Sequence, residues 1–380
     1  MEQNPPPSTP LSVDALLERV VEMRASDLHL TSGSHPAVRV HGSIELLEDF
    51  PVLDPDTVRQ LIYRITTTEQ QKHLELARQL DFAYGVRGLA RFRVNSYYQR
   101  ESLAAAFRTI PTLIKPLEEL GLPASLHELA KNPRGLVLVT GPTGSGKSTT
   151  LAAVIDEINR TRDDHIMTIE DPIEFLHRHK RCLVNQREIG PDAKSFGDAL
   201  RGALRQDPDV ILLGEMRDLE TISTALTAAE TGHLVFATLH TQDAPSTIDR
   251  LIDVFPAAQQ EQIRVQIAST IQGVVTQTLV PTVDGNGRVA ACEILLPDDA
   301  VRNLIRTGKV EQIYSVMQTG SNKGMQTLEQ ALVDLVARGI ITQETAISRS
   351  SRPDQLVGLL QRSGIATPDA AAGGLRVAGS

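Results

Sequence analysis

The chain has no tryptophan, 3% aromatic residues in all, two cysteines and no long apolar run among its 380 residues. Each shortage excludes something. Single-strand nucleic-acid binders stack bases on aromatic platforms, and few residues here could build one. Neither Cys182 nor Cys292 sits in a CxxC pair. That argues against a structural zinc site and for a reducing compartment in which both are small buried residues. No apolar stretch approaches the roughly 20 residues that span a bilayer, so direct membrane insertion is not expected. The opening "MEQNPPPSTPLSVD" lacks the basic start and apolar core of a signal peptide. A formal net charge of −9 speaks against nucleic acid as a partner. With 41% apolar and 22% charged residues, the composition is that of an ordinary globular chain with room for about two domains.

Prolines 5, 6, 7 and 10 mark residues 1–11 as a flexible lead. A first domain is expected over 12–110. It opens with a helix in which Val13, Leu16, Leu17, Val20 and Val21 share a face and Ser12 is the cap. The alternating runs "SDLHL", "AVRVHG" and "ARFRVNSYYQR", with helical pattern near 56–76, make it a small α+β unit. Residues 111–132 are proline-rich and read as a linker holding a short helix capped by Ser125 and Glu128. From 133 to 350, the runs "GLVLVTG", "HIMTIE", "DVILLGE" and "LVFATLH" alternate with helical patterns. This predicts an α/β domain with a buried, mainly parallel sheet. Beyond 257 the pattern turns mostly helical, ending where Leu328, Leu332, Leu335 and Val336 share a face before Gly339. Residues 351–380 are expected to be a disordered tail.

"GPTGSGKST" carries G-x-x-x-x-G-K-[ST] after a strand and before a helix. Gly141, Pro142, Thr143, Gly144, Ser145 and Gly146 form a loop whose backbone N–H groups can surround phosphate oxygens, with Ser148 and Thr149 opening the helix that aims its positive end at the same anion. Lys147 reaches the terminal phosphates and the Ser148 hydroxyl is a ligand for Mg²⁺. ATP and Mg²⁺ are the expected cofactors.

Ligands of such sheets gather at the carboxyl ends of strands. Glu215 follows one aliphatic strand and can deprotonate or orient a water; capping of the next helix is the plain alternative. Gly214 stands where many phosphate-loop enzymes carry an Asp. Glu170, Asp171 and Glu174 follow another strand, either as a metal's outer shell, with Glu170 the nearest candidate, or as an acidic helix start with Pro172 first in the helix. His233 and His240 bracket a third strand, where an imidazole can sense the γ phosphate. Arg91 and Arg93 alternate with Phe92 on one strand face, and Arg108 lies farther on. Arginines like these neutralise a transferring phosphoryl group from a neighbouring subunit, or simply face solvent.

Taken together, "GPTGSGKSTT", "TIEDPIEF", "LRQDPDVILLGEMRDLETISTALTAAETGHLVFATLHT" and "SDLHL" resemble the segments of type II/type IV secretion ATPases, most closely the twitching-motility (PilT-type) pilus retraction ATPases. The resemblance runs from about Leu16 to about Ile341. It implies a PAS-like amino-terminal domain, a RecA-like ATPase domain and a homohexamer with ATP between subunits. It also implies Glu215 as catalytic glutamate, Glu174 as a second catalytic acid, His233 and His240 as a histidine pair, and sensor roles for Arg91, Arg93 and Arg108. The implied partners are an inner-membrane pilus platform protein and a second retraction ATPase. The implied location is the cytoplasmic face of that membrane, reached through the pilus machine. A segment tied to retraction in that family appears as "AVRNLIRT", residues 300–307, with Thr307 where the family has Glu. Arg302 and Arg306 would lie on one helical face there, open to a partner or a neighbouring subunit. Accessory (PilU-like) retraction motors and pilus assembly or type II secretion motors remain as alternatives. "SYYQR" leans toward the accessory kind, "GEMRDLET" toward the principal one. A non-hydrolysing nucleotide sensor would also keep the phosphate loop.

Overall fold

A computed structural model describes residues 11–40, 42–111, 113–285 and 287–365. The lead up to residue 10 and the tail beyond 365 lie outside the described residues. The chain divides into two units: one runs to Leu113 and takes in Glu174–Leu176, and the other holds Ile114–Ile173 and the chain from His177.

The first unit begins with α1 (Val13–Glu22), whose Ser12 side chain accepts from the Ala15 N–H and whose Val13, Leu16, Leu17 and Val20 are buried. It continues through β1 (Asp27–Leu30), β2 (Ala37–Val40), β3 (Ser43–Leu46), α2 (Pro55–Arg64), α3 (Thr68–Ala77), β4 (Gln79–Val86), β5 (Ala90–Gln99) and β6 (Ser102–Ile110). The six strands form an antiparallel sheet in the order β3-β2-β1-β6-β5-β4. Two helices replace the single one expected near 56–76. Asp54 caps α2 and a Thr67–Gln70 capping box opens α3, so the chain has two separate start signals.

The second unit contains α4 (Ser125–Lys131), β7 (Gly135–Thr140), α5 (Lys147–Thr161), β8 (His165–Glu170), β9 (Leu183–Glu188), α6 (Phe196–Ala203), β10 (Val210–Leu213), α7 (Leu219–Glu230), β11 (Leu234–Leu239), α8 (Ala244–Asp253), α9 (Ala257–Thr270), β12 (Ile271–Pro281), β13 (Arg288–Leu295), α10 (Asp299–Arg306), α11 (Ile313–Thr319), α12 (Leu328–Ala337), α13 (Gln343–Arg349) and α14 (Pro353–Arg362). Its seven strands are ordered β13-β12-β7-β11-β10-β8-β9, all parallel except the β12–β13 pair. Successive residues of β7 serve opposite faces: Leu136 and Leu138 join a core under α6 to α11, while Val137 and Val139 join one under α4 and α5. Covering both faces is why these strands read as unbroken aliphatic runs. The mixed α/β class and the mainly parallel sheet are as expected.

Four expectations are corrected. Residues beyond 257 are not simply helical, because β12 and β13 form a long hairpin at the sheet edge. The stretch 111–132 is no mere linker: Leu117, Leu126, Leu129 and Ala130 are buried in the second unit's core. Ser125 is the first residue of α4 and makes no cap, while Glu128 pairs with Lys131 instead. The tail does not begin at 351, since α14 buries Leu356 and Leu360 against Leu332 and Leu335.

Candidate nucleotide site

Three loop glycines take positive φ: 134° at Gly141, 78° at Gly144 and 89° at Gly146. At two of them space is decisive as well. A Cβ on Gly141 would stand 2.2 Å from the Gln277 carbonyl oxygen, and one on Gly146 would stand 2.7 Å from Gln277 Nε2. The loop hands over to α5 at Gly146 with no side-chain cap, whereas α7 and α8 are capped by Asp218 and Asp243. The first N–H groups of α5 are therefore left for an anion. Lys147 is buried, and its Nζ rests on the carbonyl oxygens of Gly141 and Pro142 at 2.8 and 3.1 Å. The buried Ser145 hydroxyl has no hydrogen-bond partner, which suits a cradle shaped for a ligand's oxygens. Pro142, Thr143 and Gly144 are exposed at the rim, and Ser148 and Thr149 are half-buried at the helix start. A triphosphate fits these features.

β7, β11 and β10 run parallel, so the ends of β10 and β11 open on the same edge of the sheet as the loop. Glu215 lies just beyond β10, two strand spacings or about 10 Å from the loop's strand. Its position is fixed from both sides. The Thr238 hydroxyl donates to the Gly214 carbonyl at 2.5 Å, the Met216 N–H donates to the Thr238 carbonyl at 3.2 Å, and the Met216 side chain is buried. The Asp218 carboxylate caps α7, so Glu215 is not spent on that task. Its Oε1 instead meets His240 Nε2 at 3.0 Å and the Arg217 guanidinium. Burial pushes the Glu215 carboxyl up, but Arg217 and then His240 outweigh it and hold the carboxyl below its ordinary range. Arg217 escaped the sequence reading, although its place two residues after Glu215 was a signal.

Gly214 is constrained too. A Cβ there would come within 3.2 Å of the Glu170 Cα and 3.3 Å of the Ile169 carbonyl, so the Asp common at this place has little room. Glu170 closes β8, next to β10, and accepts from the Thr168 hydroxyl at 2.6 Å and from Gln186 Nε2 at 3.3 Å. Among the described residues no group of three or more His, Cys, Asp or Glu forms a metal cage. Mg²⁺ held by phosphates and water needs no such cage, and the half-buried Ser148 hydroxyl, with Glu170 farther out, could serve it.

The acidic helix start expected after β8 does not form. The Asp171–Pro172 peptide is cis, and residues 171–182 are irregular. Glu174 falls in the first unit's grouping. His233 is a second correction. It precedes β11, and its Nδ1 lies 3.0 Å from the Ala228 carbonyl near the end of α7. The six residues of β11 separate it from His240 by about 20 Å, so the two histidines do not meet in one site of this chain.

In the first unit, Arg93 lies opposite Arg108 across β5 and β6, and Arg91 lies two residues along on the same face, since Phe92 and Val94 fill the core side. Arg108 Nε donates to Asp27 Oδ1 at 2.8 Å. Burial disfavours the Asp27 charge, but hydrogen bonds from Ser26 and Arg108 prevail and keep its carboxyl low. Arg302, expected on an open helix face, is turned toward α9, where it donates to the Ala268 carbonyl. Thr307 ends α10 with its hydroxyl on the Asn303 carbonyl at 2.9 Å.

Residues 3–352 match the family model described as "Type II/IV secretion system protein". The type IV pilus retraction ATPase PilT of Pseudomonas aeruginosa is 52% identical over 344 residues, covering 90% of this chain and 99% of that protein. PilU, a type IV pilus ATPase of the same organism, is 41% identical over 346 residues, covering 91% and 90%. The crystal structure of the pilus retraction motor PilT with bound ADP superposes with a TM-score of 0.86 at 52% identity, covering 92% of this chain and 99% of that one. The chain belongs to the type II/IV secretion system protein family.

Proposed function

We propose that the chain is a hexameric motor ATPase that hydrolyses ATP to ADP and phosphate to power type IV pilus retraction and twitching motility. The observation that carries the reading is the Glu215 carboxylate, held by His240 and Arg217 on the same sheet edge as an uncapped phosphate loop. The loop N–H groups bind the phosphates, and Lys147 moves from its own loop's carbonyls onto them. Mg²⁺, when bound with the nucleotide, supplies charge neutralisation at the phosphates, with Ser148 as its protein ligand. Glu215 takes a proton from the attacking water as the bond from the γ phosphorus to its bridging oxygen breaks. Arg91, Arg93 and Arg108 of an adjacent subunit are retained from the family resemblance as the groups that meet the developing charge. Glu174 is retained as a second acid from the family resemblance.

Retraction is preferred to the accessory role because the PilT relative is 52% identical to this chain and PilU 41% over a similar span. The partners proposed are a platform protein of the pilus base and a second retraction ATPase, with the hexamer working at the cytoplasmic face. Among the described residues no helix is long and apolar enough to cross a membrane. The test is the count of surface pili in a strain deleted for this chain and complemented with wild type or Glu215→Gln. Excess pili corrected only by wild type supports retraction. Bald cells would identify an assembly motor instead. Purified protein without Mg²⁺-dependent turnover would leave only a nucleotide sensor.

A further inference from the structure

The side chain of Gln277 is buried, lies on β12 and reaches the phosphate loop with one end of its amide and the first turn of α5 with the other. Nε2 donates to the Ser145 carbonyl at 2.7 Å, and Oε1 accepts from the Thr150 hydroxyl at 2.7 Å. Alongside, the Thr276 and Thr140 hydroxyls meet at 2.9 Å where β12 pairs with β7. A side chain with one donor and one acceptor at the same tip satisfies both the loop carbonyl and the helix hydroxyl, and the amide of Gln does so.

The geometry points to Gln277 as the positioning residue that aims the phosphate loop before any nucleotide arrives. A peptide unit is planar and trans, so its C=O and N–H point in opposite directions. Drawing the Ser145 carbonyl toward Gln277 turns the Gly146 N–H away from Gln277 and into the loop's interior. Gly146 holds that orientation at φ 89°, which an L side chain rarely adopts, and its missing Cβ is what lets Gln277 Nε2 approach. The other amide contact ties β12 to the first turn of α5. An N–H already aimed at the anion need not be ordered at binding, so the gain is in nucleotide affinity. The base at Glu215 hangs from other strands, so the rate at saturation is a separate matter.

This proposal rests on the ATPase reading, and its test separates the two. Full-length wild type, Gln277→Met, Gln277→Glu and Thr150→Val are titrated with ADP by calorimetry and assayed for kcat and KM with ATP, each with a melting curve. Met keeps the volume but removes the donor, and Glu keeps the Thr150 contact while facing the Ser145 carbonyl with an acceptor. Both should weaken ADP binding and raise KM for ATP by about tenfold, with kcat within a few-fold of wild type. Thr150→Val cuts only the other end and should bind within about threefold of wild type. If Gln277→Met does not fold, Gln277→Glu carries the same expectation. ADP affinity unchanged in the Gln277 variants overturns the proposal. So does an affinity loss in Thr150→Val as large as theirs, since that would make the contact one of fold stability alone. A wild-type chain that binds no ADP would instead overturn the ATPase reading itself.

Discussion

His240 Nε2 lies 3.0 Å from Glu215 Oε1, and the Arg217 guanidinium reaches that same oxygen. Among the described residues both contacts fall on Oε1, leaving Oε2 to take a proton from water. Glu215→Gln keeps the size of the side chain and removes its basicity. Turnover should fall by about 10²- to 10⁴-fold, the usual worth of a positioned base. ADP affinity should stay within about threefold, because the phosphate loop hangs from other strands. Calorimetry and a phosphate-release assay on the same preparation check both halves, and comparable turnover in the variant would remove Glu215 from the role.

Arg217 gives this site a pH signature. A base works when ionised, so activity falls as pH drops through its pKa, which here is held below the ordinary carboxylate range. Removing Arg217 takes away the largest of the influences that lower it, so the Glu215 carboxyl rises. In Arg217→Gln the acid limb of kcat/KM should therefore move to higher pH, while the two enzymes stay closest well above neutrality. An unmoved limb would mean that His240 alone keeps the carboxylate charged.

Much of the second unit was legible because its strands are buried on both faces and its phosphate loop is a spaced pattern of glycines. The β12–β13 hairpin was less so. "IQGVVTQTLVP" is rich in β-branched residues, and "DGNG" is a turn signal, yet the run follows a long helix and does not alternate cleanly. Missing it hid Gln277, whose role depends on strand order rather than on anything near it in sequence. His233 misled although its place before the strand was already read: the two ends of a strand fall on opposite edges of the sheet, and only His240 stands at the carboxyl end where the loop lies. The cap at α4 failed because Ser125 lies one residue inside the helix, a shift that local pattern does not resolve.

The segment after 350 gives a direct test of packing. Leu356 and Leu360 are buried among Val280, Leu332, Leu335 and Ile341. Leu356→Ala should cost about 2–5 kcal/mol, the range for emptying a buried leucine site. Truncation after Ser350 should cost more, since both leucines go at once. Urea unfolding read by circular dichroism measures each, and a truncated chain as stable as wild type would deny α14 its place in the core.

Glu293 should make stability depend on pH. Burial pushes its carboxyl up to about 7, with Asp243 and Glu329 adding to the rise and N–H groups of Ala244 and Leu328 opposing it. The Ala244 N–H donates to Oε1 at 2.7 Å, so the acid is bound in place at the start of α8. An unfolded chain releases this proton near 4.5. Between that value and about 7 the folded chain holds a proton that the unfolded chain has lost, so stability declines as pH rises through this window and levels off above it. The decline attributable to this one group is about 3 kcal/mol. Glu293→Gln is neutral at every pH and keeps an oxygen for the Ala244 N–H. Its stability relative to wild type should therefore increase from pH 5 to pH 8, by up to that amount. Urea unfolding of both proteins at the two pH values measures it. A difference that does not change with pH would mean that Glu293 is ionised throughout, its charge carried by the helix N–H groups around it.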